Sequence, residues 1–234
     1  MRTLLLILMG SMMSVIGLPA AEAQTAPEST VEASPPMTFF VTSVSPGFGG
    51  NLGGLAGADR HCQALAASTR SPEVAARTWR AYLSTSAFSG QPAVNARDRI
   101  GKGPWYSSKG VMIAASVSDL HGDTLEAARI GNRLNMWNAT DEHGQLVNYV
   151  GGPAPLRHDI LTGSKPDGTA YEDGKDHTCK NWTSSMEGSA RVGHHDRNGA
   201  SSTSWNSAHE SLGCSPGLLQ ATGSGGLLYC FAID

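Results

Sequence analysis

Leu227-Leu228-Tyr229-Cys230-Phe231-Ala232 runs almost to the end of the chain without a charged or strongly polar interruption. A continuous apolar stretch of that length suits a strand at the centre of a sheet. Near the other end, Phe39, Phe40, Val41 and Val44 form a short β-prone run stopped by Pro46-Gly47. A Gly-rich segment, 49–54, then leads into a helix whose Leu55, Ala58, Cys62, Leu65 and Ala66 make a one-sided apolar stripe. Cys62 on that stripe would staple the helix to the core. From Thr78 to Ser84 the side chains alternate, with Trp79, Ala81 and Leu83 on one side and Arg80, Tyr82 and Ser84 on the other, which predicts a half-buried strand. Residues 86–178 are rich in Gly, Asn, Asp and Pro, with only brief apolar runs such as Val111-Met112-Ile113. A long irregular stretch of this kind, when ordered, tends to carry function. There is no internal repeat and no heptad pattern. The expectation is one α+β domain with a large loop region, held by cystines.

The chain has 234 residues, enough for one or two domains, and 40% of them are hydrophobic, which excludes wholesale disorder. Lys and Arg total 17 against 20 Asp and Glu, with no basic run, so a nucleic-acid footprint is not expected. Residues 1–23 have the order of an export signal: Arg2, an apolar stretch from Leu4, then Ala21-Glu22-Ala23 as a small-x-small cleavage site. The segment from Leu4 to Ala20 is diluted by Gly10, Ser11, Ser14, Gly17 and Pro19, short of the ~20 apolar residues a membrane span prefers. Residues 24–36 lack a hydrophobic period and carry three prolines, so they read as a flexible tether, with the globular part starting at Met37. The mature protein is expected outside the cytoplasm, secreted or periplasmic, with no membrane insertion after signal removal. In an oxidising compartment the four cysteines, Cys62, Cys179, Cys214 and Cys230, favour disulfides over metal thiolates; three pairings are open.

Motifs of catalysis are missing. There is no Gly-x-Ser-x-Gly elbow and no His-Glu-x-x-His helix. Carboxylate pairs such as Asp119 with Asp123, or Glu172 with Asp173, stand in loop-like sequence where solvated charges are common. His121, His143, His158, His177, His194, His195 and His209 fall mostly in the second half, with His194-His195-Asp196 and His158-Asp159 as the obvious groups. Adjacent histidines on a strand point to opposite faces and do not readily share an ion. Hydrogen-bonding histidines in polar loops are the commoner situation, so neither a metal nor a catalytic residue is expected. Trp105, Tyr106, Trp137 and Tyr149 could stack on a ligand or fill a satellite core under the loops. Trp182 and Trp205, close to cysteines, are expected to pack rather than to bind.

Taken in order, Gly57-Ala58-Asp59-Arg60-His61-Cys62, Thr78-Trp79-Arg80-Ala81-Tyr82-Leu83-Ser84, Gly163-Ser164-Lys165-Pro166-Asp167-Gly168, Cys179 with Trp182, Trp205-Asn206-Ser207, Cys214 and Leu228-Tyr229-Cys230 resemble the endostatin-like branch of the C-type lectin fold. The resemblance spans residues 37–234, although each motif is short. It implies nested disulfides, Cys62–Cys230 and Cys179–Cys214, two small mostly antiparallel sheets, flanking helices and a long loop region. It also implies a recognition site at two places, read here as Lys165-Pro166-Asp167 and Trp205-Asn206-Ser207. Calcium in that superfamily needs roughly 6–8 oxygen ligands. Lys165 puts an ammonium where an oxygen should be, and Ser207 replaces a carboxylate, so calcium is disfavoured. The resulting expectation is a non-catalytic module that binds a glycan, or a glycosylated or acidic partner, through Lys165, Asp167, Trp205, Asn206 and Ser207. Oligomeric state is left open. Two alternatives stand beside it: a structural or adhesive protein that binds another extracellular protein, and a metal-dependent hydrolase that uses the loop histidines.

Overall fold

The computed structural model describes residues 34–88, 90–122, 130–199 and 202–234. The expected signal, residues 1–23, and all but the last three residues of the expected tether lie outside them. Residues 34–234 form one unit, and its centre is the C-terminal strand β8, Ser224–Ala232. Antiparallel β1, Phe39–Val41, pairs along one edge of β8, with Phe40 opposite Cys230. The other edge is shared. β2, Trp79–Ala81, pairs antiparallel with the last residues of β8, and β5, Asp159–Leu161, runs parallel to its earlier part. β6, Arg191–His194, and β7, His209–Glu210, extend the sheet antiparallel beyond β5. A separate hairpin joins β3, Trp105–Tyr106, to β4, Met112–Ala114.

The apolar run in β8 is continuous because both of its faces are covered. Side chains alternate along a strand, so Leu228, Cys230 and Ala232 enter one core while Leu227, Tyr229 and Phe231 enter another. The first core is closed by helix α1, Gly54–Ala67, whose Ala58, Cys62 and Ala66 are buried one turn apart. Helix α2, Pro72–Ala76, starts on a Ser71 cap, and its Val74 carbonyl accepts the Trp79 indole N–H at 2.9 Å. The second core is supplied largely by the irregular stretch: Ile100, Trp105, Ile113, Leu120, Leu134 and Val147. Leu120 belongs to helix α3, Val117–His121. Trp105 is therefore core, with its indole N–H on the Ala232 carbonyl. Helix α4, Pro216–Ala221, precedes β8 and buries Leu219.

Two cystines connect these parts: Cys62–Cys230 fastens α1 to β8, and Cys179–Cys214 closes a shorter loop within the first, with Cα separations of 5.6 and 5.7 Å. The pairing is the nested one. Disulfides belong to oxidising environments, and among the described residues no helix is long and apolar enough to cross a membrane. The 78–84 segment departs from the alternation read in its sequence. Trp79 and Ala81 are buried and Arg80 is exposed, but Tyr82 and Ser84 are buried too. The chain leaves β2 beneath the loop region, so Tyr82 meets the second core instead of water.

Candidate functional site

The two segments singled out in the sequence lie side by side. Asn206, buried between β6 and β7, donates through Nδ2 to the Tyr82 hydroxyl at 2.9 Å and to the carbonyls of Lys165 and Pro166 at 3.1 and 3.2 Å. Trp205 turns into the second core, its ring 4.8 Å from Tyr82 and 5.2 Å from Tyr229. The Ser207 hydroxyl accepts from Arg191 Nε at 3.0 Å and meets the Tyr171 hydroxyl at 3.1 Å. Asp167 accepts from the Thr169 amide and hydroxyl through one oxygen. Trp205, Asn206 and Ser207 thus spend their side chains inward, while Lys165 and Asp167 reach solvent. This donor set does not fit calcium: Asn206 and Ser207 are consumed in internal bonds, and an ammonium stands beside the single available carboxylate.

A cleft of about 600 Å³ opens next to these segments. One wall carries Ser86, Ala87, Phe88 and Ala93; the other comes from 171–183 with Tyr171, Glu172, Lys175, Asp176, Thr178, Lys180, Asn181 and Thr183. Phe88 is 69% exposed. Tyr171 spans both features, since its hydroxyl meets Ser207 while its ring lines the cleft and stacks on His177 at 3.9 Å. Cys179, Lys180, Asn181 and Trp182 all have positive φ, a left-handed turn that places Lys180 and Asn181 at the cleft. Asn181 reads both backbone groups of Ser86, accepting its N–H at 2.9 Å and donating to its carbonyl at 3.0 Å, which holds the two walls together.

Behind the sheet edge, three imidazoles surround one carboxylate. Asp159 opens β5 and stands opposite His194 across the β5–β6 pair, while His209 of β7 faces Val192, two residues from His194. Cross-strand neighbours and residues two apart share a face, which brings Asp159, His194 and His209 together. Asp159 Oδ1 lies 3.1 Å from Nε2 of both His158 and His194, and Oδ2 lies 3.5 Å from His209 Nε2. Asp159 is fully buried and His194 nearly so. Burial pushes the Asp159 carboxyl up, but the facing imidazoles of His194 and His209 more than reverse this, leaving it below the usual carboxylate range. The same carboxylate raises His209 above the usual imidazole range. Asp196, whose burial is outweighed by His158 and by the Val150 and Asn198 amides, is held down at about 2. His195 points to the other side, onto the Asn148 carbonyl.

No family model and no curated protein matches this chain. The chemistry of the site therefore rests on what its own side chains offer. The cleft offers aromatic and methyl surface edged by amide, hydroxyl and charged groups. Of its lining, the sequence reading names Glu172 only as half of a solvated carboxylate pair, and gives Phe88 and Lys175 no role. The available signal was Phe88 alone, a large aromatic in the small-residue run Ser86-Ala87-Phe88-Ser89-Gly90. Elsewhere Trp137, 65% exposed, and the half-buried Tyr149 form an aromatic pair with ring centroids 5.9 Å apart.

Proposed function

We propose that this chain is a secreted or periplasmic, non-catalytic recognition module of the C-type-lectin-like, endostatin-like fold, and that it binds carbohydrate at the cleft between residues 86–93 and 171–183. The nested disulfides support the fold assignment, as do the pairing of the first and last strands and the long loop region stacked on one sheet face. The observation that carries the function is the exposure of Phe88 within a cleft edged by donors and acceptors. Sugars present apolar C–H faces to aromatic rings and hydroxyls to polar side chains, and this cleft supplies both partners. Lys175 and Lys180 on the same rim, beside Glu172 and Asp176, offer charged partners to sugar hydroxyls and to the acidic groups of a glycosylated partner. Lys165 and Asp167 reach solvent on the neighbouring segment, where the Asn206 amide holds the carbonyls of Lys165 and Pro166.

A glycan array run with and without chelator tests this. Binding to acidic or neutral glycans that survives chelation is the expected result, with Phe88→Ala weakening it on the order of tenfold while the melting temperature stays within about 2 °C. Binding abolished by chelator would return calcium to the site. Absence of binding to any glycan, with the same surface retaining an extracellular protein in a pull-down, would favour the adhesive alternative.

A further inference from the structure

The surroundings of Asp159 contain a feature that sugar recognition does not use. His158 Nδ1 lies 3.2 Å from Asp196 Oδ1, His194 Nδ1 lies 2.9 Å from the Ser202 carbonyl, and His209 Nδ1 lies 3.0 Å from the Glu210 carbonyl. Each of these partners is an acceptor only, so every Nδ1 carries a proton and every neutral ring turns its Nε2 lone pair toward Asp159. Neither Asp159 oxygen has a well-aligned hydrogen-bond donor among the described residues, and His194 Nε2 has none either. Lone pairs directed at a fully buried carboxylate repel it unless a proton or a metal cation lies between them.

We propose that His158, Asp159 and His194 form a zinc site, with His209 as the fourth donor. The ligand atoms of the first three all lie within 4.8 Å of one another. In a tetrahedral zinc site with bonds near 2.0–2.2 Å, neighbouring donor atoms stand about 3.3 Å apart, close to the 3.1 Å that separates Asp159 Oδ1 from Nε2 of both His158 and His194; His209 Nε2 stands 3.5 Å from the other oxygen, Oδ2. Imidazole nitrogens with a single carboxylate select zinc over calcium or magnesium, which take oxygen. The Nδ1 partners of all three rings are of the kind that orient metal-bound histidines: a carboxylate and two backbone carbonyls. The rings of His158 and His194 lie stacked, 4.2 Å apart and 13° from parallel, so closing on an ion requires them to tilt toward each other. His209, 30% exposed at its side chain, is on the open side of the cluster. With its other ligands buried, the site is structural: zinc would fasten β5, β6 and the two-residue edge strand β7 to one another.

The test uses the mature full chain, stripped with chelator, dialysed and titrated with zinc. The expected result is about one zinc per chain retained through gel filtration, a higher melting temperature than in chelator, and slowed amide exchange in β6 and β7. Asp159→Asn alters a fully buried group and risks misfolding, so His209→Ala carries the comparison. It should weaken zinc binding on the order of tenfold or more with the chelated melting temperature unchanged, while His143→Ala, at an exposed histidine, leaves zinc affinity intact. Well under half an equivalent of zinc bound by the wild type overturns the proposal, as does equal affinity in wild type and His209→Ala. Nitrogen shifts showing doubly protonated rings in the presence of zinc also overturn it.

Discussion

His121 is a buried histidine whose every polar atom is accounted for. Its Nδ1 lies 2.8 Å from the Val117 carbonyl, an acceptor, so Nδ1 carries the proton and Nε2 accepts from the Tyr82 hydroxyl at 2.7 Å. Tyr82 in turn accepts from Asn206. Burial, aided by the Arg97 charge and only partly offset by the Val117 carbonyl, lowers the His121 pKa to about 4. The unfolded chain, with histidine near 6.5, therefore binds the proton first as pH falls, and stability drops between pH 6.5 and 4. At about 1.4 kcal/mol for each tenfold change in proton affinity, the loss from this one group approaches roughly 3.5 kcal/mol. Urea unfolding of wild type against His121→Gln should show the variant with a flatter dependence in that window; parallel curves would mean that His121 is not held neutral. Burial of Tyr82 and Asn206 was not legible in the sequence, because a tyrosine on the outward phase of an alternating strand becomes core only when a distant loop covers it.

At the scale of elements, the left-handed turn Cys179–Trp182 runs against local preference, since a left-handed non-glycine residue costs roughly 1–2 kcal/mol. Several interactions offset that cost. Asp176 accepts the amides of Thr178 and Lys180, Trp182 donates its indole N–H to the Ser84 carbonyl at 2.7 Å, and Cys179 is tied to Cys214. Lys180 contributes only a surface ion pair to Glu187 at 3.8 Å, an interaction worth little. Lys180→Gly is accordingly expected to stabilise by about 1 kcal/mol, a rise of about 2–4 °C in melting temperature; a fall would show that the side chain matters more than the backbone. Asp176→Ala should act in the opposite direction, at a cost of about 1–2 kcal/mol. Both can be read by thermal unfolding. The sequence placed Cys179 and Trp182 near one another, but nothing local in Cys179-Lys180-Asn181-Trp182 asks for positive φ.

For the whole molecule, the cystines restrain a chain whose described loops are long. Cys62–Cys230 joins positions 168 residues apart and Cys179–Cys214 positions 35 apart. Loop-closure entropy assigns them about 5 and 4 kcal/mol respectively. Against a usual total of about 5–15 kcal/mol, the paired change Cys62→Ser and Cys230→Ser should leave the protein largely unfolded at physiological temperature. The paired change Cys179→Ser and Cys214→Ser removes about 1 kcal/mol less, so it should leave more of the protein folded, and it should weaken the proposed glycan binding first, since Thr178, Lys180, Asn181 and Thr183 of the cleft flank Cys179. Circular dichroism with parallel binding measurements separates the two. A folded Cys62→Ser and Cys230→Ser protein of wild-type stability would contradict the entropic role.

The amino-acid sequence by itself determined the central strand, the apolar stripe of α1 and the mixed α+β class. These follow from side-chain periodicities of two and 3.6 residues, which any short window displays. Only the tertiary structure decided which residues meet. Sequence grouped His194 with His195 and Asp196, whereas strand pairing moved His195 to the opposite side and brought in His158 and His209 from neighbouring positions in the sheet. Likewise the cleft joins residues 86–93 to 171–183 across some eighty intervening positions. Register between strands and the docking of loops are set by the packing of the whole core, so no local pattern in the chain records them.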